Sequence, residues 1–282
     1  MLWKKPQPSR GAPGFAYGRI MALVGLFFVA AAIPAQAAVQ LSREDTLRIG
    51  KKVWQNECGG TVAGLTSWNA GENFASLGIG HFIWYPKGVR GPFDESFPKF
   101  VRFVAARRTG AGAPALPKLL DPEGKSACPW NSQAEFLNAK NSPEMNELRN
   151  FLAHSIDLQA AFLVQRLQQA LPKMLSEAPP AKRAHVQEQF DRVASSSMGC
   201  YALVDYVNFK GEGILATERY AGQGWGLLQV LAEMSTEDDA GRSFADSAKK
   251  VLTNRVRNSP PTRNEARWLP GWLARINTYV KS

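Results

Sequence analysis

The spacing of apolar positions predicts where this chain changes character. From Ser42 to Cys58, Leu47, Ile49, Val53 and Trp54 recur near the 3.6-residue helical period, so one face of an amphipathic helix turns inward. Ser42 opens this helix as a cap, with Asp45 placed to return a hydrogen bond, and Gly59-Gly60 ends it. Residues 61–80 lose that period: Gly, Thr, Ser and Asn alternate with short apolar runs, which predicts loops and a small hairpin. Phe82-Ile83-Trp84-Tyr85 reads as a strand that stops at Pro86. A Pro/Gly-rich connection follows, Phe100, Phe103 and Val104 predict one or two helical turns, and residues 109–131 predict an irregular surface segment. From Ser142 onward helices dominate. Ser142-Pro143-Glu144 supplies a cap, a proline at the first helical position and an acid in the first turn. Leu148 and Leu152, then Leu158, Phe162, Leu163, Leu167 and Leu171, then Val186, Phe190 and Val193 mark successive core faces. Two more helices, about 241–257 and 263–280, are separated by Asn258-Ser259-Pro260-Pro261. The pattern predicts a mainly helical α+β fold, with a small mixed region over 38–131 and a helical region over 132–282.

The first 37 residues do not belong to that pattern. Lys4, Lys5, Arg10 and Arg19 precede an apolar run from Ile20 to Ile33, and Ala35-Gln36-Ala37 has the small-x-small form of a cleavage site, so a secretory signal removed after Ala37 is expected. The apolar run is shorter than the roughly 20 residues of a membrane-spanning helix, and no later segment is long enough, so no stable span is expected after cleavage. The expected product is a monomer, periplasmic or secreted.

Charge and cysteine content narrow the partner. The formal net charge is +10, and the four basic residues of the leader take it to +6 when they leave. A basic exported protein suits an anionic cell-wall polymer or lipid surface. Nucleic acid is not expected, since export removes the usual partner and no recognition motif is present. Cys58, Cys128 and Cys200 would meet an oxidising compartment, where an odd count allows one disulfide in any of three pairings. Cys58 has no base beside it in sequence to hold a thiolate, which argues against a catalytic cysteine. His81, His154 and His185 lack paired ligand spacing, so neither metal nor cofactor is expected.

The candidate chemistry lies between residues 57 and 81. Glu57 falls in the last turn of the first helix, where the helix dipole disfavours negative charge, a bias that suits a general acid. Glu72 sits among Gly and Asn, where an ion stays solvated, and two carboxyl groups in unequal environments are what glycoside cleavage needs. The helix ending in Glu57, the polar hairpin and the run Ser76-Leu77-Gly78-Ile79-Gly80-His81 resemble the phage-type lysozymes of the lysozyme-like superfamily. That resemblance implies a small β-containing lobe before a larger helical one, and hydrolysis of the β-1,4 link between amino sugars of peptidoglycan. It implies Glu57 as the general acid, Ser76 in place of the family's threonine as a hydroxyl that holds the attacking water, and His81 in a mainly structural role. The family's aspartate falls on Ala70, and the connection here is four residues longer, which offers Glu72 as the second carboxylate.

Two later stretches stand as candidate partners across a groove. Residues 200–213 read as an apolar helix carrying Asp205, Asn208 and Glu212 on neighbouring turns. Asp205 or Glu212 replaces Glu72 if that side chain faces solvent, and Asp205 with the stretch Thr217-Glu218-Arg219-Tyr220 also reads as a salt-bridged junction. Gly224-Trp225-Gly226-Leu227-Leu228-Gln229 is similar to the Gly-Leu-Met-Gln turn of soluble lytic transglycosylases, which implies Glu212 as a single acid that cleaves without water. Trp68 and Asn69 in the loop, with His81, Asn208, Gln223 and Trp225, complete the expected sugar-binding set, while Trp268 and Trp272 are expected in the core. A chitosanase-like glycosidase and a glycan-binding protein that does not cut are the other readings.

Overall fold

The computed structural model describes residues 41–107 and 114–280. The expected leader and its cleavage site lie outside these residues, as does the stretch 108–113 of the predicted irregular segment. Helix α1, Arg43–Cys58, begins where expected: Ser42 Oγ accepts the Asp45 amide at 3.0 Å, and Gly59 ends it in the left-handed region at φ 61°. A three-stranded antiparallel sheet follows in the order β1 (Thr66–Ser67), β2 (Ala75–Leu77), β3 (Phe82–Trp84). Its register puts Ala75 and Leu77 opposite Trp84 and Phe82 on the core face, while Ser67, Ser76 and Ile83 share the other face. The period-2 alternation of strand side chains thus groups Ala75, Leu77, Phe82 and Trp84 with Thr66 on one face, and the two serines with Ile83 on the other.

Helix α2 runs over Phe97–Arg107, three turns where one or two are predicted. Pro98 is compatible with this because it occupies the second helical position, where its missing N–H has no intrahelical acceptor to lose. Residues 114–131 hold turns and one isolated bridge between Pro86 and Cys128, in keeping with the irregular segment. Then come α3 (Gln133–Asn138), α4 (Pro143–Ala153), α5 (Ile156–Glu177), α6 (Arg183–Ala194) and α7 (Ser197–Lys210). The Ser142 cap is present, its Oγ accepting the Met145 amide at 3.2 Å. A short antiparallel pair, β4 (Arg219–Tyr220) and β5 (Gln223–Gly224), leads into α8 (Leu227–Glu233), α9 (Ala240–Asn258) and α10 (Leu269–Ile276). The last predicted helix, 263–280, is broken into α10 flanked by 3₁₀ turns, because Asn264 takes a left-handed backbone at φ 46° and Pro270 restarts the helix after it.

The result is a mainly helical α+β protein, with ten α-helices and two small antiparallel sheets among the described residues. Its apolar core is continuous across the predicted boundary at 131/132: Trp130 packs edge-on against both Trp84 and Phe136. Among the described residues no helix is long and apolar enough to cross a membrane. Cys58, Cys128 and Cys200 are all buried and unpaired, so none of the three allowed disulfides is present.

Candidate functional site

Glu57 is placed by the end of α1 and held by groups from three distant segments. Its side chain is 13% exposed. Arg275 of α10 donates from Nη2 to Glu57 Oε1, Asn208 of α7 donates to the same oxygen at 3.5 Å, and His81 Nδ1 lies 3.7 Å from Oε2. The helix end that disfavours negative charge is therefore faced by a guanidinium, which no local pattern around residue 57 announces.

Asp205 is the anchor of that guanidinium. It is fully buried, and its carboxylate accepts from Arg275 Nε at 2.7 Å and Nη2 at 2.8 Å, from Tyr279 Oη at 2.7 Å and from Asn56 Nδ2 at 3.1 Å. Burial works against the Arg275 charge, but the hydrogen bonds and charge of Asp205, with the charge of Glu57, outweigh it and hold the guanidinium above its ordinary value. Burial, with the Asp205 charge added, also pushes the Tyr279 phenol well up, so it stays a donor. Asp205 thus serves as a positioning group for Arg275, and its oxygens face protein donors rather than a ligand.

The Ser76–His81 run is a turn that fixes His81. Gly78 at φ 69° brings its backbone against α5, where an added side-chain carbon would collide with Gln159 Oε1. That oxygen accepts the Ile79 amide at 2.8 Å, while Gln159 Nε2 donates to the Leu152 carbonyl at 2.6 Å. At Gly80 an added carbon would collide with the Phe82 ring. The Gly-x-Gly spacing is therefore a packing requirement. Gly78→Ala is expected to cost about 2–4 kcal/mol, from the left-handed backbone and the displaced buried hydrogen bond together, as a lower urea midpoint with an unchanged slope.

His81 itself has φ 46° and reaches both sides of the helix end. Its Nε2 is 3.9 Å from Cys58 Sγ, so a base does adjoin this cysteine in space although none does in sequence. Burial, reinforced by the Glu57 charge, pushes the Cys58 thiol up to about 12, which keeps it protonated and unreactive.

The other predicted residues are spread around this centre. Ser76 is 4% exposed and pairs across the sheet with Ser67. Glu72 is half-buried in its loop, its Oε2 accepting from Asn69 Nδ2 at 3.1 Å. Trp68 is 5% exposed: its ring packs on Phe136 and its Nε1 donates to the Glu72 carbonyl at 2.8 Å, so it braces the loop and offers no open face. Trp225 is likewise buried, between Tyr220 and the Arg255 guanidinium 4.0 Å from its ring. Of the two tryptophans expected inside, Trp272 is half-buried against the core and Phe209, whereas Trp268 is 40% exposed just before the short α10. Gln223 lies on the surface and accepts from Asn258 at 3.1 Å.

Glu212 is not on a helix with Asp205 and Asn208. Gly211, at φ 86°, ends α7 one residue earlier. The Gly224–Gln229 turn sits behind it: Gln229 accepts the Gly226 amide at 2.9 Å and donates to the Gly213 carbonyl at 3.0 Å. Glu212 is thereby presented to a groove of about 830 Å³ between α2, α5 and the end of α7. Asn208 also lines this groove, and through its contact with Glu57 it joins the buried centre to the open space. The groove is mixed in character, with Phe103, Phe162 and Leu163 among charged side chains. Its volume is that of a small-ligand site. No protein family, curated protein or solved structure matches the chain.

Proposed function

We propose that this chain is an exported glycosidase of lysozyme-like architecture, cleaving the β-1,4 link between amino sugars of peptidoglycan with Glu57 as general acid. The observation that carries the reading is the setting of Glu57, an acid at a helix end beside His81 and joined by Asn208 to an open groove. The run from Ser76 to His81 and the secretory pattern of the first 37 residues support it from the sequence.

In this mechanism Glu57 gives its proton to the glycosidic oxygen as the C1–O bond breaks. Water adds to C1, and a carboxylate takes the proton that water releases. Glu57 must first take up a proton to act as the acid, which gives up its ion pair with Arg275; Arg275 keeps two bonds to Asp205, so its charge is not left alone. Glu212, in the groove beside Asn208, is better placed than Glu72 to receive that proton, since Glu72 is tied to its own loop.

The exposure of Glu212 to the groove favours one second reading, non-hydrolytic cleavage with Glu212 as the acid. Mass spectrometry of the products from purified sacculi separates the two. Muropeptides with reducing ends are expected; anhydro ends would transfer the role to Glu212. Binding to sacculi without release of fragments would make this a glycan-binding protein, and release from chitosan alone would make it a chitosanase.

A further inference from the structure

The charged side chains around the groove are nearly all committed to protein partners. Lys99 pairs with Asp94, and Lys173 Nζ lies 3.6 Å from Glu212. Glu218 accepts the Gly213 and Leu215 amides at 2.8 and 3.1 Å. Arg102 donates to the Glu123 carbonyl at 3.4 Å; Arg107 donates to Gln165 at 3.3 Å and stacks 3.6 Å from the Phe103 ring.

Arg166 is the exception. It projects into the groove from α5, has neither ion pair nor hydrogen bond among the described residues, and interacts only at range with Asp94 and Glu212. Burial pulls its guanidinium below the ordinary value, and the charges of Asp94 and Glu212, too distant for an ion pair, offset that only in part. A planar fork of donors, half-buried in the groove wall and without a partner among the described residues, is a receptor for a two-oxygen anion.

We propose that Arg166 forms an oxyanion subsite in this groove, which receives a carboxylate carried by the glycan ligand. The inference rests on the glycan reading for its ligand and on the Arg166 geometry for its chemistry. A carboxylate is favoured over a phosphate because Asp94 and Glu212, within range of Arg166, oppose a doubly charged group more than a singly charged one.

The test uses calorimetric titration of the full chain with oligogalacturonate, with a neutral cello-oligosaccharide of the same length, and with inorganic phosphate. Wild type is expected to bind the carboxylated oligomer about tenfold more tightly than the neutral one, the effect of one charge-assisted pair. Arg166→Gln should remove that preference and Arg166→Lys should restore part of it, both with thermal midpoints at or above wild type, because no described contact is lost. Equal binding of the two oligomers by wild type would overturn the proposal, and this comparison needs no variant. A preference that survives in Arg166→Gln would overturn it as well, and tight competition by millimolar phosphate would assign the site to phosphate instead. Sacculus cleavage separates this result from the functional reading. Arg166-dependent oligogalacturonate binding without cleavage leaves the subsite standing, whereas cleavage without carboxylate preference removes it.

Discussion

Glu57→Gln is expected to abolish muropeptide release from sacculi while leaving the fold intact. The substituted amide would keep an oxygen that accepts from Arg275 Nη2 and Asn208 Nδ2, the two contacts made by Glu57 Oε1. What the variant loses is the proton that a carboxyl group delivers to the leaving oxygen. Loss of a general acid lowers the rate by about 10²- to 10⁴-fold, so cleavage should fall to the background of the assay. Stability should change by about 1 kcal/mol or less, since one hydrogen-bonding group replaces another and Arg275 remains neutralised by Asp205. A thermal midpoint near wild type with no product is the expected pair of readings. Full activity in this variant would remove Glu57 from the chemistry.

Arg275→Leu has the opposite signature, a large loss of stability. The guanidinium supplies two of the four hydrogen bonds to a carboxylate that is fully buried, and it faces Glu57 as well. Removing one partner of a buried pair leaves the other charge uncompensated, at about 3–5 kcal/mol. Denaturant unfolding should therefore show a midpoint far below wild type. Adding Asp205→Asn removes the stranded charge while keeping a side chain that can accept from Tyr279. The double variant should recover part of the loss, and a purely additive result would refute the coupling.

The fold was legible wherever the information is local. The Ser42 and Ser142 caps, the glycine stop at Gly59 and the break at Pro260-Pro261 each depend on a few neighbouring residues, and each lies where the pattern puts it. The end of the chain misled because Asn264 and Pro270 interrupt a stretch whose apolar spacing alone suggests one helix. Tryptophans were poorly ranked for a related reason: neighbouring polar residues made Trp68 look like a surface loop residue, whereas its burial comes from Phe136. At the site, Glu57, His81, Asn208 and Glu212 stood out by helix position, glycine spacing and polar placement. Arg275 did not, because it pairs across 218 residues and sits in a helix that otherwise reads as packing. Arg166 carries even less local signal, since one arginine on an amphipathic helix is ordinary until its surroundings show that it lacks an acceptor.

The joining of Glu57 to Arg275 also sets an order of assembly. Domains generally begin to fold from the end made first, and here α1 waits for α10, the latest α-helix among the described residues. Until α10 docks, Asp205 has no guanidinium and the polar end of α1 has no cap of opposite charge. A nascent or partly threaded chain would therefore lack the centre however much of its core had formed. Helix α10 thus acts as a latch, and the centre is complete only once it is in place.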